Sequence, residues 1–120
     1  MAHHCEAIVV TCMDFRLQGF FEKWLNETIG PGQYDRVSYA GGVKNWEAIF
    51  PQIEISRRLH GIKKVVLINH EDCGAYGEEG NPKRHADDLR AARTKVIAVY
   101  PDLTVESYYA TLDGHFERVY

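Results

Sequence analysis

The sequence lacks an apolar run long enough to cross a membrane: the longest, such as Val65-Val66-Leu67-Ile68, hold only a few residues, against the roughly 18 that suggest a span. A basic excess is missing too, since 14 Lys and Arg face 17 Asp and Glu for a formal net charge of −3. The basic residues are scattered among acids, with no accompanying stripe of aromatics, which argues against a nucleic-acid partner. The start, Met1-Ala2-His3-His4-Cys5-Glu6, has no charged-then-apolar layout of a signal peptide, so the expected location is the cytoplasm. No repeat, low-complexity stretch or linker interrupts the chain, and residues 1–120 are read as a single domain. Cysteine is scarce, with Cys5, Cys12 and Cys73 alone. An odd number without an export signal points to reduced thiols, as available for metal binding or catalysis as for packing. What is present is ordinary for a globular protein: 45% hydrophobic and 26% charged residues over 120 positions exclude disorder for the whole. That length buries a core without metal or disulfide staples.

Short apolar runs alternate with helical patterns. Ala7-Ile8-Val9-Val10 and Val65-Val66-Leu67-Ile68 suit strands covered on both faces. Between them, Phe20, Phe21, Trp24 and Leu25 mark a helix face closed by Gly30-Pro31-Gly32. Tyr34 to Ala40 reads as a strand ending at Gly41-Gly42, and residues 45–60 as a helix stopped by Gly61. Pro51 either kinks that helix or starts a new one. Asn81-Pro82 reads as the cap and first position of a third helix, with Asp87 and Asp88 early enough to suit its positive end. Leu103 to Leu112 alternates like a half-buried strand, and Asp113-Gly114 turns it into a final antiparallel strand. The order βαβαβαββ predicts an α/β protein. Its sheet is mostly parallel, ordered about 2-1-3-4 with an antiparallel fifth strand, flanked by helices on right-handed crossovers.

Two clusters of reactive side chains follow buried strands. Cys12-Met13-Asp14-Phe15-Arg16 comes directly after the first, and His70-Glu71-Asp72-Cys73-Gly74 after the third. If strand 1 lies between strands 2 and 3, crossovers leave it in opposite directions and a crevice opens where both clusters meet. Two thiolates and one imidazole suit Zn²⁺, and three protein ligands with an open fourth position mark a catalytic site. The plainer alternative makes Cys12 and Cys73 small core residues and His70 a hydrogen-bonded loop residue. Against it stands the coincidence of both clusters at matching strand ends. Asp14 and Arg16 are two apart, so an extended backbone points them the same way. Beside a metal, such a pair holds the carboxylate ionised and oriented; elsewhere it is a surface ion pair of little worth.

Together, Cys-x-Asp-x-Arg, the Ala40-Gly41-Gly42 loop and His-x-x-Cys-Gly resemble the β-class carbonic anhydrases. The stretch from Gly61 to Ala75 is similar to the strand and metal segment of that family, and Tyr109 to Phe116 resembles its terminal hairpin. The resemblance implies that Cys12, His70 and Cys73 are zinc ligands. Asp14 and Arg16 would be the catalytic dyad, Asp14 either facing the metal-bound water or filling the fourth position in a closed form. The implied activity is that of a carbonate dehydratase, a zinc lyase that reversibly hydrates carbon dioxide to bicarbonate by a zinc-bound hydroxide. Two thiolates cancel the charge of Zn²⁺, so activity is expected to favour alkaline pH. The family's usual helices before the first strand have no room ahead of Cys12, its Ala-Gly-Asn loop reads Ala40-Gly41-Gly42 with Asn45 following closely, and Phe15 stands where a small residue is common. Trp24, Phe20, Phe21, Tyr34, Trp46 and Phe50 are many large apolar groups for a small domain, some expected at the surface. With the resemblance, they imply a homodimer or higher oligomer.

Other readings are weaker. A phosphatase loop fails because residue 18 is Gln18, no Cys-x-x-Cys pair exists, and Gly30-Pro31-Gly32 lacks the follow-on glycine of a dinucleotide turn. His3, His4 and Cys5 are read as a mobile terminus and a packed thiol, with adventitious metal binding as the alternative. Glu71 and Asp72 are read as caps of the following helix rather than as residues that orient the ligands. Trp24 and Trp46 are taken as core or interface, Gly74 and Gly77 as turns, and His85 and His115 as solvated surface residues. Two functional alternatives remain: a hydrolase of carbonyl sulfide or carbon disulfide, and a non-catalytic zinc-binding scaffold. The second leaves Asp14 and Arg16 without a purpose.

Overall fold

A computed structural model describes residues 3–120; the first two residues of the signal-peptide reading, Met1 and Ala2, lie outside the described part. The elements are β1 (Ala7–Thr11), α1 (Gln18–Thr28), β2 (Tyr34–Ser38), α2 (Trp46–His60), β3 (Lys64–His70), α3 (Pro82–Val99), β4 (Thr104–Ala110) and β5 (Phe116–Val119), with a 3₁₀ turn at Gly77–Glu79. They form one sheet in the order β2-β1-β3-β4-β5, parallel through β4 and antiparallel at β5. This is the predicted topology. No described helix is long and apolar enough to cross a membrane.

The period of two along the strands builds two cores. Ile8, Val10, Val65 and Leu67 face Ile49 and Ile53 of α2 and Leu89 and Val96 of α3. Val9, Val66 and Ile68 face Leu17, Phe21 and Leu25 at α1. Both faces of β1 and β3 are therefore covered, which is why those strands read as unbroken apolar runs. The crossover through α1 leads to β2, and that through α2 returns past β1 to β3. The direction thus reverses at β1, and a crevice opens at the carboxyl ends of β1 and β3.

Helix ends follow local chemistry. Asn81 accepts the Arg84 N–H at 2.8 Å and Pro82 opens α3, as expected. Gly61 ends α2 with φ 57°, the left-handed conformation that glycine adopts freely. Pro51 lies inside one continuous α2, so the fresh-start reading is set aside. Asp87 and Asp88 are not in the first turn of α3. The helix begins at Pro82, so they fall a turn later, where they pair with Lys83 at 2.7 Å and Arg84 at 3.1 Å.

Of the large aromatics, some of them expected at the surface, Phe20 is exposed and the others are covered to differing degrees within the chain. Phe21 is buried, and Trp24 stacks on Phe116 with ring centroids 4.4 Å apart and meets Tyr108 edge-on. Trp46, Phe50 and Tyr100 form a row beside α2 and α3. The terminal hairpin supplies the partners of Phe21 and Trp24, which the reading of separate helix faces did not pair. Phe20 stays partly exposed, and the residues with most open apolar surface beside the crevice are Met13 (61%) and Phe15 (87%).

Candidate metal centre

Cys12 follows the last residue of β1, His70 is the last residue of β3, and Cys73 lies three positions on. The fold brings all three together: their ligand atoms lie within 4.8 Å of one another, and all three residues are buried. The two sulfurs are 3.9 Å apart. The hydrogen bond between the two thiols holds Cys12 far down and, together with burial, pushes Cys73 up. Burial disfavours the charged form of His70, but the Cys12 thiolate and the Glu71 carbonyl outweigh it and raise the imidazole.

The fit to a metal rests on His70. Its Nδ1 faces the Glu71 carbonyl at 2.6 Å, so that nitrogen carries the proton. Nε2 is buried and has no hydrogen-bond partner. A buried lone pair without a donor is costly, and one aimed at two sulfurs is what a soft or borderline cation requires. Two sulfurs and one imidazole nitrogen form a donor set that suits zinc.

Asp14 and Arg16 meet across a turn rather than along an extended strand, since the Arg16 N–H donates to Asp14 Oδ1 at 2.9 Å and Leu17 N–H to the Asp14 carbonyl. Arg16 Nη2 donates to Asp14 Oδ2 at 2.7 Å. The guanidinium hydrogen bonds lower the Asp14 carboxyl to about 2. The same Oδ2 is 3.9 Å from His70 Nε2, so an ionised carboxylate borders the point where the ligand atoms converge. In front lies an open hollow of about 510 Å³, lined by Cys12, Met13, Asp14, Phe15, Ala40 and Ala75 among others.

Several contributing residues were not read from the sequence. Gln18 Nε2 donates to the carbonyls of Cys12 and Asp14, while its Oε1 accepts from Arg36 of β2. Asp72, with φ 55°, gives Arg16 its carboxylate at 3.0 Å and its carbonyl at 2.9 Å. Glu71 accepts the Leu112 N–H. Neither acid caps the next helix, because Asn81 does so and the two acids turn back toward Arg16 and the hairpin. Gly41 donates its N–H to Cys12 Sγ at 3.4 Å. A Cβ on Gly42 would meet the Asn69 amide oxygen and come within 3.0 Å of the Ile68 carbonyl. Asn69 accepts the Val43 N–H there, whereas Asn45 points to the Tyr39 hydroxyl.

His85 is fully buried rather than solvated. It sits on α3 against β3, its Nδ1 accepting from the Asn69 amide at 2.9 Å, and Asn69 also donates to the Tyr76 hydroxyl. Tyr76 in turn donates to Asp88. A lone histidine among the charges of α3 carried no periodic signal of this; a closer look at its spacing with Leu89 and Ala92 could have found it. His115 is exposed, as expected.

A five-stranded α/β sheet with a Cys-His-Cys cluster and an Asp-Arg pair at its switch point has the architecture of a β-carbonic anhydrase. A family model described as "Putative carbonic anhydrase" matches residues 2–120, and the chain belongs to that family. An uncharacterized protein of Rickettsia conorii is 30% identical over 98% of this chain and 74% of its own length. "Beta-carbonic anhydrase 1" of Mycobacterium tuberculosis is 28% identical over 83% of this chain, which spans about half (55%) of that relative. Among solved structures, the carbonic anhydrase of Streptococcus mutans shares the fold with a TM-score of 0.73 at 18% identity, over 99% of this chain and 84% of that one. A carbon disulfide hydrolase shares it with a TM-score of 0.65 at 17% identity, over 99% and 80%. A tetrameric β-carbonic anhydrase of Sordaria macrospora matches with a TM-score of 0.58 at 15% identity, over 98% and 82%.

Proposed function

We propose that this chain is a zinc-dependent carbonate dehydratase that interconverts carbon dioxide and bicarbonate, and that Cys12, His70 and Cys73 hold the zinc. The observation that carries this reading is the unpartnered Nε2 of His70 converging with two thiol sulfurs beside an ionised carboxylate. When bound, zinc supplies a water acidic enough to act as nucleophile on the carbon of carbon dioxide. The protein's part is positioning. Asp14 Oδ2, which borders the point where the three ligand atoms converge, would accept a hydrogen bond there and orient the nucleophile. Arg16 keeps Asp14 ionised, so Asp14 accepts and does not donate. Gln18 fixes the carbonyls of Cys12 and Asp14, and Asp72 anchors Arg16 from the other cluster. Both thiols must stay reduced, which fits a cytoplasmic protein.

A second reading, hydrolysis of carbon disulfide or carbonyl sulfide, is favoured by the exposed Met13 and Phe15 at the mouth, which suit a more apolar substrate, and by the shared fold with a carbon disulfide hydrolase. A non-catalytic zinc scaffold would have no use for the Asp14–Arg16 pair. Metal content and stopped-flow carbon dioxide hydration at alkaline pH, with the two sulfur substrates assayed in parallel, decide among these. About one catalytic zinc per chain with hydration is expected. Zinc with sulfur-substrate turnover alone moves the assignment to the second reading, and zinc without any turnover overturns both.

A further inference from the structure

The end of the sheet opposite the crevice carries a second group of ligand-type side chains. Cys5 precedes β1, Asp35 lies on β2 and His60 closes α2. The Cys5 sulfur, an Asp35 carboxylate oxygen and a ring nitrogen of His60 all lie within 4.8 Å of one another. The fold imposes this arrangement. Cys5 N–H donates to the His60 carbonyl at 3.2 Å, pinning the segment before β1 to the end of α2. The pairing of β1 with β2 then sets Asp35 alongside. His60 Nδ1 and Ser56 Oγ each contact Asp35 Oδ2 at 2.6 Å, so the carboxylate is already oriented. All three residues are half-buried, and a hollow of about 290 Å³ lined by Asp35, Ser56 and His60 gives access from solvent.

We propose that Cys5, Asp35 and His60 form a second divalent-metal site, selective for zinc-like cations and separate from the Cys12 cluster. One sulfur, one imidazole nitrogen and one carboxylate oxygen form a mixed set of the kind zinc accepts in four-coordinate sites. A solvent water can complete the fourth position. The His3 ring stacks on His60 with centroids 5.9 Å apart, and His4 Nδ1 lies against Gly61, so two further imidazoles flank the group. The end of α2 adds the partial negative charge of its carbonyls, which favours a cation. Binding forms bonds from the metal to Cys5 Sγ, His60 Nδ1 and Asp35. The thiol proton and the proton held between His60 and Asp35 leave to solvent, and nothing is oxidised or reduced. The length of β1 separates the two clusters, so one ion cannot serve both. Occupancy would staple the chain before β1 to β2 and α2, a structural role with no part in the carbon dioxide chemistry.

The test uses untagged, reduced full-length protein stripped with a chelator, then loaded with Co²⁺ or Zn²⁺ and passed through gel filtration. Two equivalents are expected in the parent, and one in Cys5→Ser and in His60→Gln, with part of the thiolate-to-cobalt absorption lost in Cys5→Ser. Cys5→Ser should keep the parent's rate of carbon dioxide hydration. Cys12→Ser should retain the Cys5 equivalent, which separates failure of this site from failure of the first. A parent that retains one equivalent, together with an unchanged count and cobalt spectrum in Cys5→Ser, would overturn the proposal.

Discussion

At the scale of single residues, the chemistry turns on how few atoms are left without a partner. His70 Nε2 is buried and unpaired, while its Nδ1 is committed to the Glu71 carbonyl. A ligand set of this kind fails when any member is lost, so Cys73→Ala should purify with its catalytic zinc missing; full occupancy by elemental analysis would remove Cys73 from the set. Asp14 lies beside the proposed ligands and is gripped by Arg16. Asp14→Asn and Arg16→Ala should keep zinc yet lose about 10- to 100-fold in hydration rate, the range seen when groups that orient a metal site are removed. Parent-level kcat/KM with zinc retained would show that the pair is only an exposed salt bridge. Gly42 admits no side chain, since its φ is 61° and Asn69 fills the space where a Cβ would go.

Among the elements, α3 matters most, because it carries both its own cap and a buried polar link to β3. Asn81→Ala removes a side-chain acceptor from the first turn, and denaturant unfolding should show a loss of about 1 kcal/mol. His85 joins α3 to Asn69 of β3 as a neutral acceptor, and burial lowers its pKa from the ordinary histidine value of 6.5 to about 4. A group whose folded pKa is depressed binds fewer protons folded than unfolded, so it costs stability as pH falls. The parent should therefore weaken between about pH 6.5 and 4 more steeply than His85→Gln, which has no charge to gain. Parallel stability curves for the two proteins would contradict this. The element order was legible because β1 and β3 are continuous apolar runs and the caps Asn81 and Gly61 are local signals. The crevice was legible for the same reason, since residues after a buried parallel strand must emerge at its carboxyl end. What escaped is long in sequence but short in space: Gln18 to Arg36, Arg16 to Asp72 and Asn69 to His85 are side-chain bonds that no local pattern encodes.

At the scale of the whole molecule, the mouth of the crevice carries uncovered apolar surface. Phe15 is 87% and Met13 61% exposed, and both line the hollow in front of Cys12 and Asp14. Phe20 stands partly exposed against Gly114 of the terminal hairpin. Apolar groups gathered at one end of a small domain cost hydration free energy unless another surface covers them. The apolar rim itself makes a second copy of the chain the partner to test. If the copy lays its surface over this rim, assembly and catalysis are linked, because it narrows an otherwise open hollow and excludes bulk water from the Asp14 side. Phe15→Glu would then place a charge where an aromatic is buried between subunits. Losing a central aromatic contact of this kind costs about 2 kcal/mol or more, which raises the dissociation constant at least about 30-fold. Sedimentation velocity should show Phe15→Glu dissociating at concentrations where the parent is a dimer or larger. Its hydration rate per chain should fall with dilution while its zinc stays bound. A parent that sediments as a monomer and keeps its full rate at nanomolar concentration would mean that the crevice between β1 and β3 works uncovered, with Phe15 serving the substrate rather than a partner subunit.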